Sequence, residues 1–250
     1  MNMKLNIVIG TLIFLILNLS ACDRKPASSQ YLHVVFGEHE TGTELYQTRV
    51  IVTPEFMRFD DGQGATDFVL FDRQKKVIYS ITPETKQIMM IEDTATTIPP
   101  EPGLKLSNVK IDDMEDAPTL NGKKPGHYKF KAGEETCFET LSIAGFLPAY
   151  VEALQEFNRI LAKDSMATLV SMPADLHNNC DLAKNTFAPS RHLQRGFPVR
   201  FWDANGFSST LLNFEEDYAA DKLLFELPAD YVKLSVTQMR QNASASNVRP

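Results

Sequence analysis

The chain has 250 residues, 43% of them hydrophobic and 23% charged, which suits one sizeable folded domain with its own core. It carries 32 acidic and 25 basic side chains, for a formal net charge of −7, and the basic residues form no stripe with interleaved aromatics. This balance argues against a nucleic-acid-binding protein.

The first 21 residues have the pattern of a removable export signal. Lys4 gives a short positive segment, and the apolar run over residues 5–19 is short for a membrane span. The junction Leu19-Ser20-Ala21-Cys22 resembles the lipobox of bacterial lipoproteins. The alternative is a transmembrane anchor that stays attached, with Cys22 incidental.

The lipobox resemblance implies that residues 1–21 are a lipoprotein signal peptide and that Cys22 carries the lipid, palmitate or a similar acyl chain. Residues 22–30 are then a polar, lipidated tether. Each buried CH₂ contributes about 0.8 kcal/mol, so a multiply acylated cysteine is a near-permanent anchor. Asp23 resembles the signal that keeps enteric lipoproteins at the inner membrane. We expect the periplasmic face of the inner membrane, with the outer membrane as the alternative.

Residues 44–93 predict a ladder of short antiparallel strands joined by tight turns. Turn-forming residues concentrate at Thr53-Pro54-Glu55, at residues 60–64 and at residues 82–85. Strands at this spacing are typical of an antiparallel meander. The strand-forming segments are residues 43–52, 56–60, 67–72, 76–81 and 87–92.

Two of these segments, residues 68–71 and 88–91, are apolar on both faces. An antiparallel sheet normally leaves one face to water, so two apolar faces imply that each is covered. We expect the chain's own helix on one face. The other face is covered either by more protein or by a hydrophobic ligand. On the ligand alternative the candidate ligand-facing residues are Phe68, Leu70, Met89 and Ile91; on the other they are ordinary core.

The chain resumes strand character over residues 104–142, interrupted at Asn121-Gly122 and Ala132-Gly133. An acidic cluster follows the first of these strands. It lacks the spaced ligands and the bend glycine of a calcium loop, so we interpret it as a solvated turn. Its members are Asp112, Asp113, Glu115 and Asp116.

One main helix is predicted to begin at Pro148, a residue suited to a first helical turn. Apolar residues then recur at three- and four-residue steps, which makes one stripe that should pack on the sheet. After Lys163-Asp164 the pattern predicts a separate short segment over residues 165–172. The stripe consists of Leu147, Tyr150, Val151, Leu154, Phe157, Ile160 and Leu161.

With Cys22 assigned to lipid, Cys137 and Cys180 remain as one disulfide pair in an oxidising compartment, or alternatively as two free thiols. His177, Cys180, Asp181 and His192 lack the paired spacing of a zinc site, so no metal is expected. Cys137 with His177 is likewise no favoured catalytic pair.

Near the end of the chain, residues 197–202 and 207–214 flank Asn205-Gly206, a strong hairpin signal. Residues 222–227 predict another strand, and residues 232–236 a further one after a turn. The polar tail, residues 238–250, is predicted to be disordered.

Several of these strand segments together resemble the LolA/LolB-like group of periplasmic lipoproteins and carriers. The resemblance implies an α+β fold in which a strongly curved antiparallel sheet, an open half-barrel, is covered by one main helix and short helical segments and encloses an apolar cavity. Residues 31–237 would form this single domain. The segments are Met57-Arg58-Phe59-Asp60, Leu70-Phe71-Asp72-Arg73, Val77-Ile78-Tyr79, Thr82-Pro83-Glu84 and residues 225–231.

The function expected from these features is that of a noncatalytic, lipid-anchored periplasmic protein that binds a hydrophobic ligand or lipid in the sheet cavity. The alternative is a structural or envelope-assembly lipoprotein that acts through a protein partner. An enzyme ranks third, because no G-x-S-x-G, H-E-x-x-H, phosphate-binding glycine loop or spaced carboxylate pair is present. No cofactor is expected, and the membrane is contacted through the lipid on Cys22.

Overall fold

The structure, a computed structural model, describes residues 31–64, 66–93, 97–98, 103–112, 117, 119–170, 173, 177–239 and 241. The predicted signal peptide, Cys22, Asp23 and the tether lie outside these residues, as do residues 240 and 242–250 of the predicted tail. None of the helices in the described ranges combines the length and the hydrophobicity needed to cross a bilayer.

Within the described residues, twelve strands form one large curved sheet that does not close on itself. They are β1 (Tyr31–His39), β2 (Tyr46–Val52), β3 (Phe56–Asp60), β4 (Phe68–Asp72), β5 (Val77–Thr82), β6 (Gln87–Glu92), β7 (Leu106–Asp112), β8 (Gly126–Ala132), β9 (Glu135–Ile143), β10 (Phe197–Asp203), β11 (Ser208–Tyr218) and β12 (Val232–Ser235). Their order across the sheet is β12-β6-β5-β4-β3-β2-β1-β11-β10-β9-β8-β7. Neighbours are antiparallel except β12, which runs parallel to β6. The predicted antiparallel sheet in a mixed α and β fold is therefore confirmed.

The ladder β2 to β6 follows the prediction strand by strand, because the turn residues act locally. The Thr53 hydroxyl, for example, accepts hydrogen bonds from the backbone N–H groups of Glu55 and Phe56, at 3.1 and 2.8 Å, and so closes the β2–β3 turn. Lys86 adopts φ of 50° at the β5–β6 connection, a left-handed conformation that ends the short 3₁₀ turn before it.

The sheet begins earlier in the chain than the sequence pattern predicts. The first predicted strand is residues 43–52, but β1 starts at Tyr31 and lies near the middle of the sheet, between β2 and β11. Val34 and Phe36 are buried on one face, 0% and 5% exposed. The period-two burial of this strand corresponds to an alternation in the sequence that could have revealed it.

The main helix, α1 (Pro148–Leu169), is one continuous helix of 22 residues. The predicted break after Lys163-Asp164 is wrong. Lys163 forms an ion pair with Asp93, which directly follows β6. The polar residues Lys163 and Asp164 are therefore part of the helix and do not end it. Met166, one turn further on, is still buried.

α1 packs against one side of the sheet, which we call the helix face. The ring of Phe157 lies 5.1 Å from that of Phe59 and 5.9 Å from that of Phe71. Arg73, just after β4, forms an ion pair with Glu156 of α1 at 2.9 Å. The helix thereby covers the first of the two apolar faces, as expected.

The opposite side, the outer face, is covered by the chain's own C-terminal segment, residues 221–231. Residues 222–227 do not form the strand that the sequence predicted, because Lys222–Phe225 is a 3₁₀ helix whose first turn is capped by the Asp221 side chain. The ring of Phe225 stacks on that of Phe56 at 5.5 Å. Leu227 and Tyr231 also pack against this face.

The disulfide between Cys137 and Cys180 is present and ties β9 to the helical segment that follows α1. That segment starts with α2 (Asn179–Leu182), continues as a π-helical turn (Ala183–Phe187) and ends with a 3₁₀ helix (Arg191–Arg195). The Asn178 side chain caps α2 by accepting from the backbone N–H groups of Cys180 and Asp181. The bridge therefore fixes this helical segment beside α1.

Candidate ligand-binding cleft

A cleft lies between α1 and the helical segment fixed by the disulfide. Its volume is about 840 Å³, within the range typical of small-molecule sites. Ile98, Leu104 and Leu106 also line it. The lining residues are Ile98, Leu104, Leu106, Gln155, Arg159, Ala162, Thr186, Phe187, Ala188, Pro189, Ser190, Arg191 and Gln194.

Apolar side chains make up most of the cleft wall. Leu104, Leu106 and Phe187 line it together with Ala162 of α1, which is 1% exposed. Leu106 itself is 39% exposed at the start of β7. A cleft with such walls suits an apolar chain or ring.

Arg191 supplies a buried positive charge in this wall. The residue is 9% exposed, and its Nη1 donates a 2.7 Å hydrogen bond to the backbone carbonyl of Lys131. The guanidinium carbon lies 5.1 and 5.6 Å from the ring centroids of Phe138 and Phe130. Burial lowers the pKa of Arg191 to about 10, which still leaves the group protonated at neutral pH.

The other two nitrogens of this guanidinium, Nε and Nη2, are buried and have no hydrogen-bond partner among the described residues. Contact with aromatic rings compensates a buried cation only in part, by about 0.5–2 kcal/mol. Buried charges are normally paired with an opposite charge. Arg191 thus has no negatively charged partner among the described residues.

The other arginines inside the fold show the usual pairing. Arg49 and Arg58 both bind the carboxylate of Asp60, at 2.7 and 2.5 Å. Arg73 binds Glu156 of α1. Arg191 differs from these three arginines, because no Asp or Glu occurs among the described residues that line the cleft.

Further polar groups line the cleft near Arg191. The exposed Arg159 of α1 adds a second positive charge. The Ser190 hydroxyl accepts a 3.3 Å hydrogen bond from the Asn158 side chain, which holds the 3₁₀ helix against α1. The cleft therefore combines an apolar wall with a positively charged, hydrogen-bonding region.

The four residues predicted to face a ligand lie elsewhere and on opposite faces of the sheet. Phe68 and Leu70 pack on the outer face, where Leu70 is 1% exposed beneath the C-terminal segment. Met89 and Ile91 pack on the helix face with the cluster under α1. The four residues therefore form two pairs on opposite faces, and none of them lines the cleft.

Two of the residues considered for a metal site, Cys180 and His192, are engaged in other contacts. Cys180 belongs to the disulfide. The His192 ring lies 5.7 and 5.8 Å from the rings of Phe138 and Phe201, and burial lowers its pKa to about 4. Within the described ranges no group of three or more His, Cys, Asp or Glu side chains is placed to hold a metal ion.

Arg191 was not singled out from the sequence. It directly precedes His192, and nothing in the local pattern distinguishes it from the exposed Arg195 of the same 3₁₀ helix. Its burial depends on Phe130 and Phe138, which come from β8 and β9. A sequence signal for such a tertiary contact is absent.

Comparison with known proteins gives no family assignment. No protein-family model and no curated protein matches the chain. Among solved structures it is similar to an uncharacterized conserved protein from Thermus thermophilus, with 13% identity, a TM-score of 0.38 and coverage of 83% of this chain and 91% of that one. It is also similar to PNGF-II in two crystal forms, with 7% and 8% identity, TM-scores of 0.39 and 0.41, and coverage of 85% and 86% of this chain but 32% of theirs. Likenesses of this degree carry no argument about function.

Proposed function

We propose that this chain is a noncatalytic, lipid-anchored protein of the bacterial periplasm that binds a hydrophobic ligand in the cleft between α1 and the disulfide-fixed helical segment. The lipid anchor is the acyl chain on Cys22, and Asp23 retains the protein at the inner membrane. The proposal includes a LolA/LolB-like domain whose curved sheet is an open half-barrel. It moves the ligand site from the sheet cavity to the cleft.

The cleft itself is the observation that carries this proposal. Both faces of the ladder are covered by the chain, the helix face by α1 and the outer face by residues 221–231. The cleft instead offers about 840 Å³ with walls that include Leu104, Leu106 and Phe187. Such a volume and lining support binding of a lipid-sized molecule.

A blocking substitution tests the proposal. Ala188 lies in the cleft wall and is only partly buried, so Ala188→Trp should fill the cleft without disturbing the sheet core. Ala219→Trp is the matched control, because it places the same side chain at an exposed position that does not line the cleft. Both are made in the full chain, expressed in a bacterial envelope.

Native mass spectrometry followed by organic extraction then reports the bound ligand. We expect the unchanged chain and Ala219→Trp to carry a lipid-sized mass that leaves on extraction, and Ala188→Trp to carry none. A bare unchanged chain, or an Ala188→Trp variant that retains the same ligand, would contradict the proposal.

A second candidate function is envelope assembly through a protein partner, and the edge strand β7 favours it. β7 is the last strand of the sheet, and all seven of its residues are exposed. Val109 and Ile111 are 49% and 47% exposed. An exposed edge strand with apolar side chains can accept a strand from another protein.

Crosslinking in cells tests this candidate. A photoreactive amino acid at position 109 should give a discrete protein adduct if a partner strand pairs with β7. The same group at position 210, which is exposed but lies in β11 between two neighbouring strands, is the control. Absence of any adduct specific to position 109 would remove this candidate.

A further inference from the structure

The wall of the cleft contains a positive charge that none of the described residues neutralises. Arg191 is protonated at neutral pH, is 9% exposed and leaves Nε and Nη2 without partners among the described residues. By contrast, Arg49, Arg58 and Arg73 each have a carboxylate at 2.9 Å or less. Removing a charge from water without a partner is unfavourable. A ligand that brings a negative charge would remove this cost.

We propose that the cleft selects an amphiphile with an anionic head group, which binds the Arg191 guanidinium while its acyl chain lies along Leu104, Leu106 and Phe187. Arg159 adds a second positive charge at the solvent-exposed side. The inference rests on the proposed function, because it assigns the chemistry of the ligand in the same cleft. A carboxylate and a phosphate head both meet the requirement, since each accepts two hydrogen bonds from a guanidinium.

Binding requires a small rearrangement of the cleft wall. Nε and Nη2 expose almost no surface, so a head group reaches them only after the atoms that cover them move aside. Arg191 keeps its hydrogen bond to the Lys131 carbonyl through Nη1 during this change. Two nitrogens, Nε and Nη2, then remain to donate to the ligand, which fits a fork-like contact with one anionic group.

Photolabelling compares a charged probe with an uncharged one of the same length. The full chain is placed in nanodiscs of zwitterionic lipid and labelled with a diazirine-bearing dodecanoate or with its methyl ester. We expect the carboxylate to label the cleft at least about tenfold more strongly than the ester, as for a charge-assisted hydrogen bond to a buried group. Competition by dodecyl phosphate or by unlabelled dodecanoate distinguishes a phosphate from a carboxylate head.

Two variants assign the effect to the guanidinium. Arg191→Gln should reduce labelling by the carboxylate to the level of the ester and leave labelling by the ester unchanged. Because Arg191 also binds Lys131, Arg159→Gln provides a second variant at an exposed position that does not risk the fold. It should reduce carboxylate labelling by about threefold, as expected for an exposed charge.

The outcomes separate this inference from the proposed function. Equal labelling of the cleft by carboxylate and ester, unchanged in both variants, would overturn the anion site and leave hydrophobic ligand binding standing. Absence of cleft labelling by either probe would overturn both.

Discussion

Arg58 and Leu224 are 166 residues apart in the chain, yet Nη1 of Arg58 donates a 2.6 Å hydrogen bond to the backbone carbonyl of Leu224. The same guanidinium binds Asp60 and lies 3.7 Å from the ring centroid of Phe68. One buried side chain thus joins β3, β4 and the C-terminal segment. This contact makes residues 221–231 part of the folded domain.

We expect Arg58→Ala to lower the free energy of unfolding by about 3 kcal/mol, because it leaves the buried Asp60 carboxylate with Arg49 as its one remaining cationic partner among the described residues and releases the Leu224 carbonyl. The measurement is urea unfolding of the full chain, followed by the fluorescence of Trp202, the single tryptophan. Lys86→Ala removes the exposed Lys86–Asp230 pair and should change stability little. Equal effects of the two substitutions would contradict a structural role of Arg58 at the outer face.

The packing of Phe225 gives a second prediction. Phe225→Ala should destabilise the fold by about 2 kcal/mol, because its half-buried ring stacks on Phe56 and contacts Tyr31. Leu223→Ala is the matched control, since Leu223 belongs to the same 3₁₀ helix but is 67% exposed. A Leu223→Ala effect as large as that of Phe225→Ala would show that residues 221–231 do not cover the outer face.

Stability should also depend on the ionisation of Asp60. Burial on its own raises the pKa of this carboxyl, but hydrogen bonds from Arg49 and Arg58 outweigh burial and hold the pKa below its usual 3.8. The ionised group therefore stabilises the fold above its ordinary pKa, and this contribution is lost as pH falls through the lower, folded-state value.

The corresponding test compares the unchanged chain with Asp60→Asn at pH 7 and at pH 3. We expect the difference in free energy of unfolding to be large at pH 7 and smaller at pH 3. Glu84→Gln, at an exposed position, should show no such difference. A difference for Asp60→Asn that is independent of pH would contradict the stabilising role of the ionised carboxylate.

Loss of the disulfide should destabilise the fold and weaken the ligand site together. Replacing Cys137 and Cys180 by Ser opens a loop closed over 43 residues, which costs about 4 kcal/mol in the chain-entropy model. Because the bridge positions the wall that carries Phe187 and Arg191, cleft labelling should fall in the same variant. Unchanged labelling would show that the wall is held without the bridge.

The parts of the fold that follow local rules could be predicted from the sequence. The ladder β2 to β6 depends on turns such as Thr53-Pro54-Glu55, and α1 depends on one apolar stripe after Pro148. β1 was missed although Leu32, Val34 and Phe36 alternate in burial, because it follows directly on the predicted tether. The same alternation of apolar residues in the sequence is typical of a half-buried strand.

Features that arise from tertiary contacts could not be predicted in this way. Residues 222–227 have the composition of a strand, but the Asp221 cap and packing on Phe56 make a 3₁₀ helix there. Arg191 becomes a candidate site residue only because β8 and β9 bring Phe130 and Phe138 around it. The disulfide was predictable, since two cysteines remained once Cys22 was assigned to lipid.

The position of a bound acyl chain tests the central claim most directly. The full chain in nanodiscs is labelled with the diazirine-bearing dodecanoate, digested, and its labelled residues are identified by mass spectrometry. We predict label on residues 104–106 and 186–191, the two walls of the cleft. Label confined to β4 and residues 221–231 would instead place the ligand on the outer face beside Phe68 and Leu70, and would contradict the cleft as the binding site.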